Sequence, residues 1–159
     1  MTEAGTSNRV KLWIGNKFKP KRMPMPEMVT GAGSLRDLGE VARRHGLVNP
    51  LIVSDAMLER LGVVKRCTDG LANAGLTYVV FAKVLPNCPG ELVEEGYALY
   101  QKEGCDGIIA VGGGSSMDCA KIIGAKVCNP KPLEKYSKTF SVAGRNKTLR
   151  DKYPPLIAI

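Results

Sequence analysis

Residues 107–121, Gly-Ile-Ile-Ala-Val-Gly-Gly-Gly-Ser-Ser-Met-Asp-Cys-Ala-Lys, constrain the fold of this chain more than any other stretch. The apolar run 108–111 has the length and content of a buried strand. Gly112, Gly113 and Gly114 follow at once, and Ser115 opens an amphipathic run that continues to Cys128 and reads as a helix. A strand that turns through glycines into a helix N-terminus makes an anion site. The first N–H groups of the helix have no intrahelical partner, and the dipole adds about half a positive charge. Glycines admit positive φ and leave no Cβ to hold a phosphate away. The string is not a Walker loop, because no G-x-x-x-x-G-K-[ST] occurs, and it fails the G-x-G-x-x-G fingerprint because Met117 stands where the third glycine belongs. A plain strand-to-helix turn with glycines for packing is the competing reading.

The rest of the chain supplies context. Its 159 residues suffice for one domain of ordinary size. Hydrophobic content of 44% and charged content of 24% are ordinary for a soluble globular protein. No apolar run is long enough to span a membrane, and the small, polar start of the chain has no signal-peptide pattern. The five cysteines, 67, 88, 105, 119 and 128, are scattered and never C-x-x-C. They read as reduced thiols in a cytoplasmic protein, without zinc spacing. The net charge of +8 sits in two clusters. Lys11, Lys17, Lys19, Lys21 and Arg22 interleave with Trp13 and Phe18, and Lys131, Lys135, Lys138, Arg145, Lys147, Arg150 and Lys152 follow later. Such clusters can track a nucleic-acid backbone, but they read more simply as a solvated arm and a solvated loop. The expectation is therefore no nucleic-acid and no membrane partner.

Apolar runs alternate with amphipathic ones. Residues 1–9 are expected to be disordered, with a short strand at 10–14. A helix is expected at 34–45, capped by Ser34 and ended by Gly46, then a strand at 50–53. Helices follow at 56–61 and 63–74 with a break at Gly62. A strand at 77–81, a turn-rich loop at 86–90, a helix at 91–103 and the unit at 108–128 come next. A long polar loop at 129–153 leads to a last strand at 156–159. This alternation predicts an α/β, Rossmann-like fold: a mostly parallel sheet with helices on both faces. His45, the single histidine, ends a basic helix where it suits the dipole. One histidine allows no H-x-x-H metal pair, and no Ser-His-Asp set can be assembled.

Gly-Gly-Gly-Ser-x-x-Asp-x-Ala-Lys at 112–121 resembles the iron-containing (group III) alcohol dehydrogenases, which carry G-G-G-S-x-x-D-x-x-K in their nucleotide-binding domain. The resemblance extends over residues 10–159. It implies that Gly112, Gly113, Gly114, Ser115 and Ser116 hold the pyrophosphate of NAD, with NADP second, and that Asp118 lines the same site from the first turn of its helix. Lys121, one turn on, reads as an exposed helical lysine. Asp55 follows Leu51-Ile52-Val53-Ser54 as in the family's L-I-V-x-D. There it can accept from the ribose hydroxyls and repel a 2′-phosphate, or merely cap the next helix. Where the family shows P-N-P, this chain has Pro86-Asn87-Cys88-Pro89. Asn87 is thus either a cofactor contact or a turn residue.

For a complete enzyme the resemblance implies reversible hydride transfer between a primary alcohol or diol and NAD. The substrate is a small alcohol or aldehyde, and Fe2+ is held by an aspartate and three histidines in a helical C-terminal domain. Those ligands are not in this chain, which is expected to be the N-terminal cofactor-binding portion, incomplete at its C-terminal end and inactive alone. A homo-oligomer is expected for the whole enzyme. The alternative is a stand-alone dinucleotide-binding module without turnover.

Overall fold

The short apolar runs become a sheet. In a computed structural model describing residues 27–133 and 153–159, four strands lie in the order β2-β1-β3-β4: β1 (Leu51–Val53), β2 (Val79–Phe81), β3 (Ile108–Ala110) and β4 (Leu156–Ala158). All pair in parallel. Leu51 is in register with Val79 and Ile108, and Ile108 with Leu156. Every residue of β1 and β3 is fully buried, which is why these central strands read as continuous apolar runs rather than alternating ones. The chain divides into two compact units, Met1–Thr30 and Gly31–Ile159. Of the first, residues 27–30 are described; they are exposed and without regular structure. The second unit carries the fold.

Five α-helices lie among the described residues, α1 before the first strand and the others between strands: α1 (Leu38–Arg44), α2 (Ala56–Arg60), α3 (Val63–Asn73), α4 (Gly90–Lys102) and α5 (Gly114–Cys128). Successive strand residues point to opposite faces, and two cores follow. Ile52 and Ile109 pack with Leu38 and Ala42 of α1 and Val64, Cys67 and Leu71 of α3. Leu51, Val53, Ile108 and Ala110 pack with Val93 and Tyr100 of α4 and Cys119, Ala120 and Ile123 of α5. The expected Rossmann-like arrangement, a parallel sheet covered on both faces, is therefore present. Lys126 of α5 is 4% exposed and reaches α4. Its ammonium donates to Glu94 Oε1 at 2.6 Å and to the Lys131 carbonyl at 3.1 Å, and it lies 5.1 Å from the Tyr97 ring centroid. A buried charge is tolerated when its donors are matched in this way.

Several boundaries differ from expectation. The helix expected at 34–45 opens as a 3-10 turn, Ser34–Asp37, before α1 begins. Ser34 does not cap it. Gly33, at φ 87, is the N-cap, and no side chain bonds the turn's N–H groups. The left-handed glycine starts the turn one residue earlier, and the Arg36 N–H closes it on the Gly33 carbonyl at 2.9 Å, the i→i+3 spacing of a 3-10 turn. Ser34 is thereby drawn inside. The break between α2 and α3 falls at Gly62, φ 74, as expected. His45 is the C-cap residue of α1. The strand expected at 77–81 is confined to Val79–Phe81. The disordered start, the strand at 10–14, most of the polar loop at 129–153 and nearly all of both basic clusters lie outside the described residues. No helix among the described residues is long and apolar enough to cross a membrane.

Candidate functional site

All strands of a parallel sheet end at one edge, so the residues after β1, β2 and β3 gather there. The chain moves from β1 outward to β2, then crosses to β3 on the other side of β1 and continues to β4. The strand order thus reverses between β1 and β3. In open α/β sheets, ligands bind in the crevice beyond the carboxyl ends at such a switch point. Ser54 and Asp55 leave β1 on one side of it, and the glycine turn leaves β3 on the other.

The turn is held from below and open above. The Gly112 N–H donates to the Ile159 carbonyl at 3.0 Å, and the Val111 N–H to the Val53 carbonyl at 2.8 Å. Gly112 has φ 130, where only glycine is at ease. A Cβ there would lie 2.9 Å from Leu58 Cδ1 and 3.0 Å from Ser116 Oγ. Gly112 therefore lets α2 approach the turn. Gly113 and Gly114 do something else. Both are exposed, and a Cβ on either would meet nothing within 4 Å. Gly113 is the N-cap of α5 and offers no side-chain cap, so its leading N–H groups receive no capping side chain among the described residues. Ser115 is half-buried. Ser116 is buried, with its hydroxyl beneath Gly112.

Asp55 is the N-cap of α2. Its Oδ1 accepts from the Met57 and Leu58 N–H groups, each at 2.9 Å, so the capping role considered from the sequence is the one seen. The other oxygen, Oδ2, makes no hydrogen bond among the described residues. Leu58 carries Asp55's cap on its N–H and touches Gly112 with its side chain, which joins the two halves of the crevice.

Ser54 was not singled out in the sequence, yet it ties three strand ends together. Its N–H donates to the Phe81 carbonyl at 2.9 Å, its carbonyl accepts from Val84 at 3.1 Å, and its buried hydroxyl donates to the Val111 carbonyl at 2.9 Å. The only local signal was a small hydroxyl between an apolar run and an aspartate. Its partners are 57 residues away for the hydroxyl, beyond any pattern window.

The remaining expected residues sit at the margin. Asn87 is exposed at the third position of a turn closed by the Cys88 N–H on the Leu85 carbonyl at 3.0 Å. Pro86 before it and φ 62 at Asn87 match a type II turn. Asp118 is exposed and, because α5 begins at Gly114, lies in the second turn rather than the first; the first turn has no acidic residue. The dipole therefore favours its carboxylate less than expected. It pairs with Lys121 at 3.3 Å, and both side chains are more than half exposed, so the pair contributes little to stability. Among the described residues no three His, Cys, Asp or Glu side chains are grouped to hold a metal.

Comparison with known proteins agrees with this geometry. A family model described as iron-containing alcohol dehydrogenase matches residues 25–159. The chain is 40% identical over 129 residues to a choline dehydrogenase of Bacillus subtilis (strain 168), covering 81% of this chain and 31% of that protein. It is 33% identical over 117 residues to an NAD-dependent methanol dehydrogenase of Bacillus methanolicus, covering 74% and 31%. A crystal structure of 1,3-propanediol oxidoreductase superposes with a TM-score of 0.71 at 34% identity, over 80% of this chain and 32% of that one. The chain thus spans about a third of the length of the curated relatives it matches. With the strand–glycine–helix unit, the β1/β3 crevice and a family match from residue 25 to 159 all in the same segment, the chain belongs to the iron-containing alcohol dehydrogenase family.

Proposed function

We propose that the segment from residue 31 to 159 is the nucleotide-binding portion of an NAD-dependent alcohol dehydrogenase, which moves a hydride reversibly between a small primary alcohol or diol and NAD. The observation that carries this reading is the open N-terminus of α5. Gly113 and Gly114 leave vacant space above uncapped N–H groups, beside the β1/β3 switch point. A pyrophosphate suits that place: its charge meets the positive end of a helix of 15 residues, and among the described residues no side chain caps the N–H groups. The relatives' names support the same chemistry, one being an NAD-dependent methanol dehydrogenase and another a 1,3-propanediol oxidoreductase.

In this reading the residues divide the cofactor between them. The N–H groups at Gly114 and Ser115 bind pyrophosphate oxygens, with Ser116 supporting the turn from beneath. Asp55 Oδ1 is committed to α2, and its Oδ2 accepts from the adenosine ribose hydroxyls, which favours NAD over NADP. Asn87 and Asp118 border the crevice. NAD, when bound, supplies the hydride acceptor, and the protein contributes orientation. The described residues offer no set of ligands for the iron. The metal and the alcohol are held by other parts of the enzyme. A cytoplasmic homo-oligomer with neither nucleic-acid nor membrane partners completes the proposal; the free cysteines suit a reducing compartment.

Gly113→Val in the full-length enzyme tests it. A Cβ at Gly113 meets nothing within 4 Å among the described residues, and a thermal melt checks that the variant is folded. KM for NAD should rise at least about tenfold, on the order of 1.4 kcal/mol. A folded variant with unchanged NAD affinity would remove the turn from the cofactor site.

A further inference from the structure

Arg66, Gly70 and Asn73 lie on one face of α3, spaced four and three residues apart. Opposite them runs the 3-10 turn with Gly33, Leu35 and Arg36, and the two elements enclose a groove of about 720 Å³. That volume suits a small organic ligand. The groove belongs to the sheet face covered by α1 and α3, whereas α5 packs on the other face. Gly33 and Gly70 put no side chain into it. Beside it α1 and α3 are in backbone contact, since a Cβ on Gly39 would lie 2.5 Å from the Gly70 carbonyl oxygen. That contact sets the distance between the walls. Arg36 folds back over Gly33, whose Cβ, if present, would lie 3.7 Å from Arg36 Nε. Among the described residues neither Arg36 nor Arg66 has an ion pair or a hydrogen bond through its guanidinium. Asp69, the acid among the lining residues, already takes the Lys65 ammonium on both oxygens at 2.8 Å. Two arginine charges therefore share one groove without a matching anion.

We propose that this groove between the 3-10 turn and α3 binds the phosphate group of a small phosphate monoester, held by Arg36 and Arg66 with Asn73 as a third contact. A phosphate monoester carries about two negative charges at neutral pH and three strong acceptor oxygens. That is enough for one guanidinium fork from each wall. A carboxylate has a single charge and two oxygens, so one arginine satisfies it and the other stays unmatched. The Asn73 amide offers a further donor, and the rest of the volume accommodates the organic body of the ester. A ligand that bridges Arg36 and Arg66 ties the 3-10 turn to α3, so occupancy should stabilise the folded state. The groove shares no residue with the glycine turn or with the end of β1, and the proposal does not rest on the cofactor reading above.

The test is titration calorimetry of the full-length enzyme in saturating NAD, with glycerol 3-phosphate, inorganic phosphate and acetate at constant ionic strength. Both phosphates should bind at millimolar concentration or below and raise the melting temperature, and acetate should do neither. Arg36→Gln and Arg66→Gln should each weaken phosphate binding by roughly fivefold, about 1 kcal/mol, because both arginines are exposed and their contacts are screened. The double variant should lose more than either single one. Lys102→Gln, which removes a cation of α4 outside the groove, should bind phosphate as the wild type does. Thermal melts check that each variant is folded. Phosphate affinity unchanged in the folded double variant would overturn the proposal, and so would an equal loss in Lys102→Gln. Acetate binding as tightly as phosphate would overturn the ligand class, and a wild-type enzyme that takes up neither phosphate would remove the site.

Discussion

Asp55 has two tasks in the reading above, and the structure allows them to be separated. Oδ1 caps α2 through two N–H groups at 2.9 Å, and Oδ2 is left for the ribose. Asp55→Asn keeps a good N-cap acceptor and the side-chain shape, but turns the second oxygen into an NH2 donor without charge. Asp55→Ala removes both. Cap loss costs about 1 kcal/mol. A hydrogen bond to a charged acceptor contributes about 1.5–3 kcal/mol, which converts to roughly 10- to 150-fold in affinity. Asp55→Asn should therefore melt near the wild-type temperature yet lose about one to two orders of magnitude in NAD affinity. Asp55→Ala should lose the same affinity and, in addition, about 1 kcal/mol of stability. Both should narrow the preference for NAD over NADP, since the charge that repels a 2′-phosphate is gone. The assay is kcat/KM for each cofactor, with a thermal melt of each variant. The reasoning fails if Asp55→Asn keeps both its NAD affinity and its NAD/NADP ratio. Asp55 would then be a helix cap and nothing more.

Ser54→Ala should lower stability by about 1–2 kcal/mol, because the buried Val111 carbonyl loses its donor at 2.9 Å; a denaturant midpoint unchanged at constant slope would contradict this. Burial pushes the phenols of Tyr100 and Tyr153 up to about 12 from 10.0. A folded-state value above the unfolded one means stability is intact below pH 10 and is lost as pH rises from 10 through 12. Denaturation midpoints should fall across that window while tyrosinate absorbance lags behind that of the unfolded chain, and the full absorbance change of all five tyrosines by about pH 10 in the native protein would refute the burial account.

What the sequence determined by itself is local. Leu51-Ile52-Val53 and Ile108-Ile109-Ala110 announce buried strands because both faces of a central parallel strand must be apolar. The three glycines followed by Ser115 announce an open helix N-terminus because only glycine leaves room there. Asp55 and Gly62 declare a cap and a break through chemistry confined to their own few neighbours. The tertiary structure decided which of these features meet. The order β2-β1-β3-β4 puts the ends of β1 and β3 side by side, although they are more than 50 residues apart in sequence. No spacing rule along the chain carries that information, since strand order is set by which helices cover which face. The same long-range packing made Ser54 a clasp and buried Lys126 against Glu94. It also began α5 at Gly114, so that Asp118 lies one turn too far along to sit at the helix's positive end. Periodicity places a residue on an element to within a turn. Whether that residue faces a ligand, a neighbouring strand or solvent depends on contacts that exist only once the sheet has assembled.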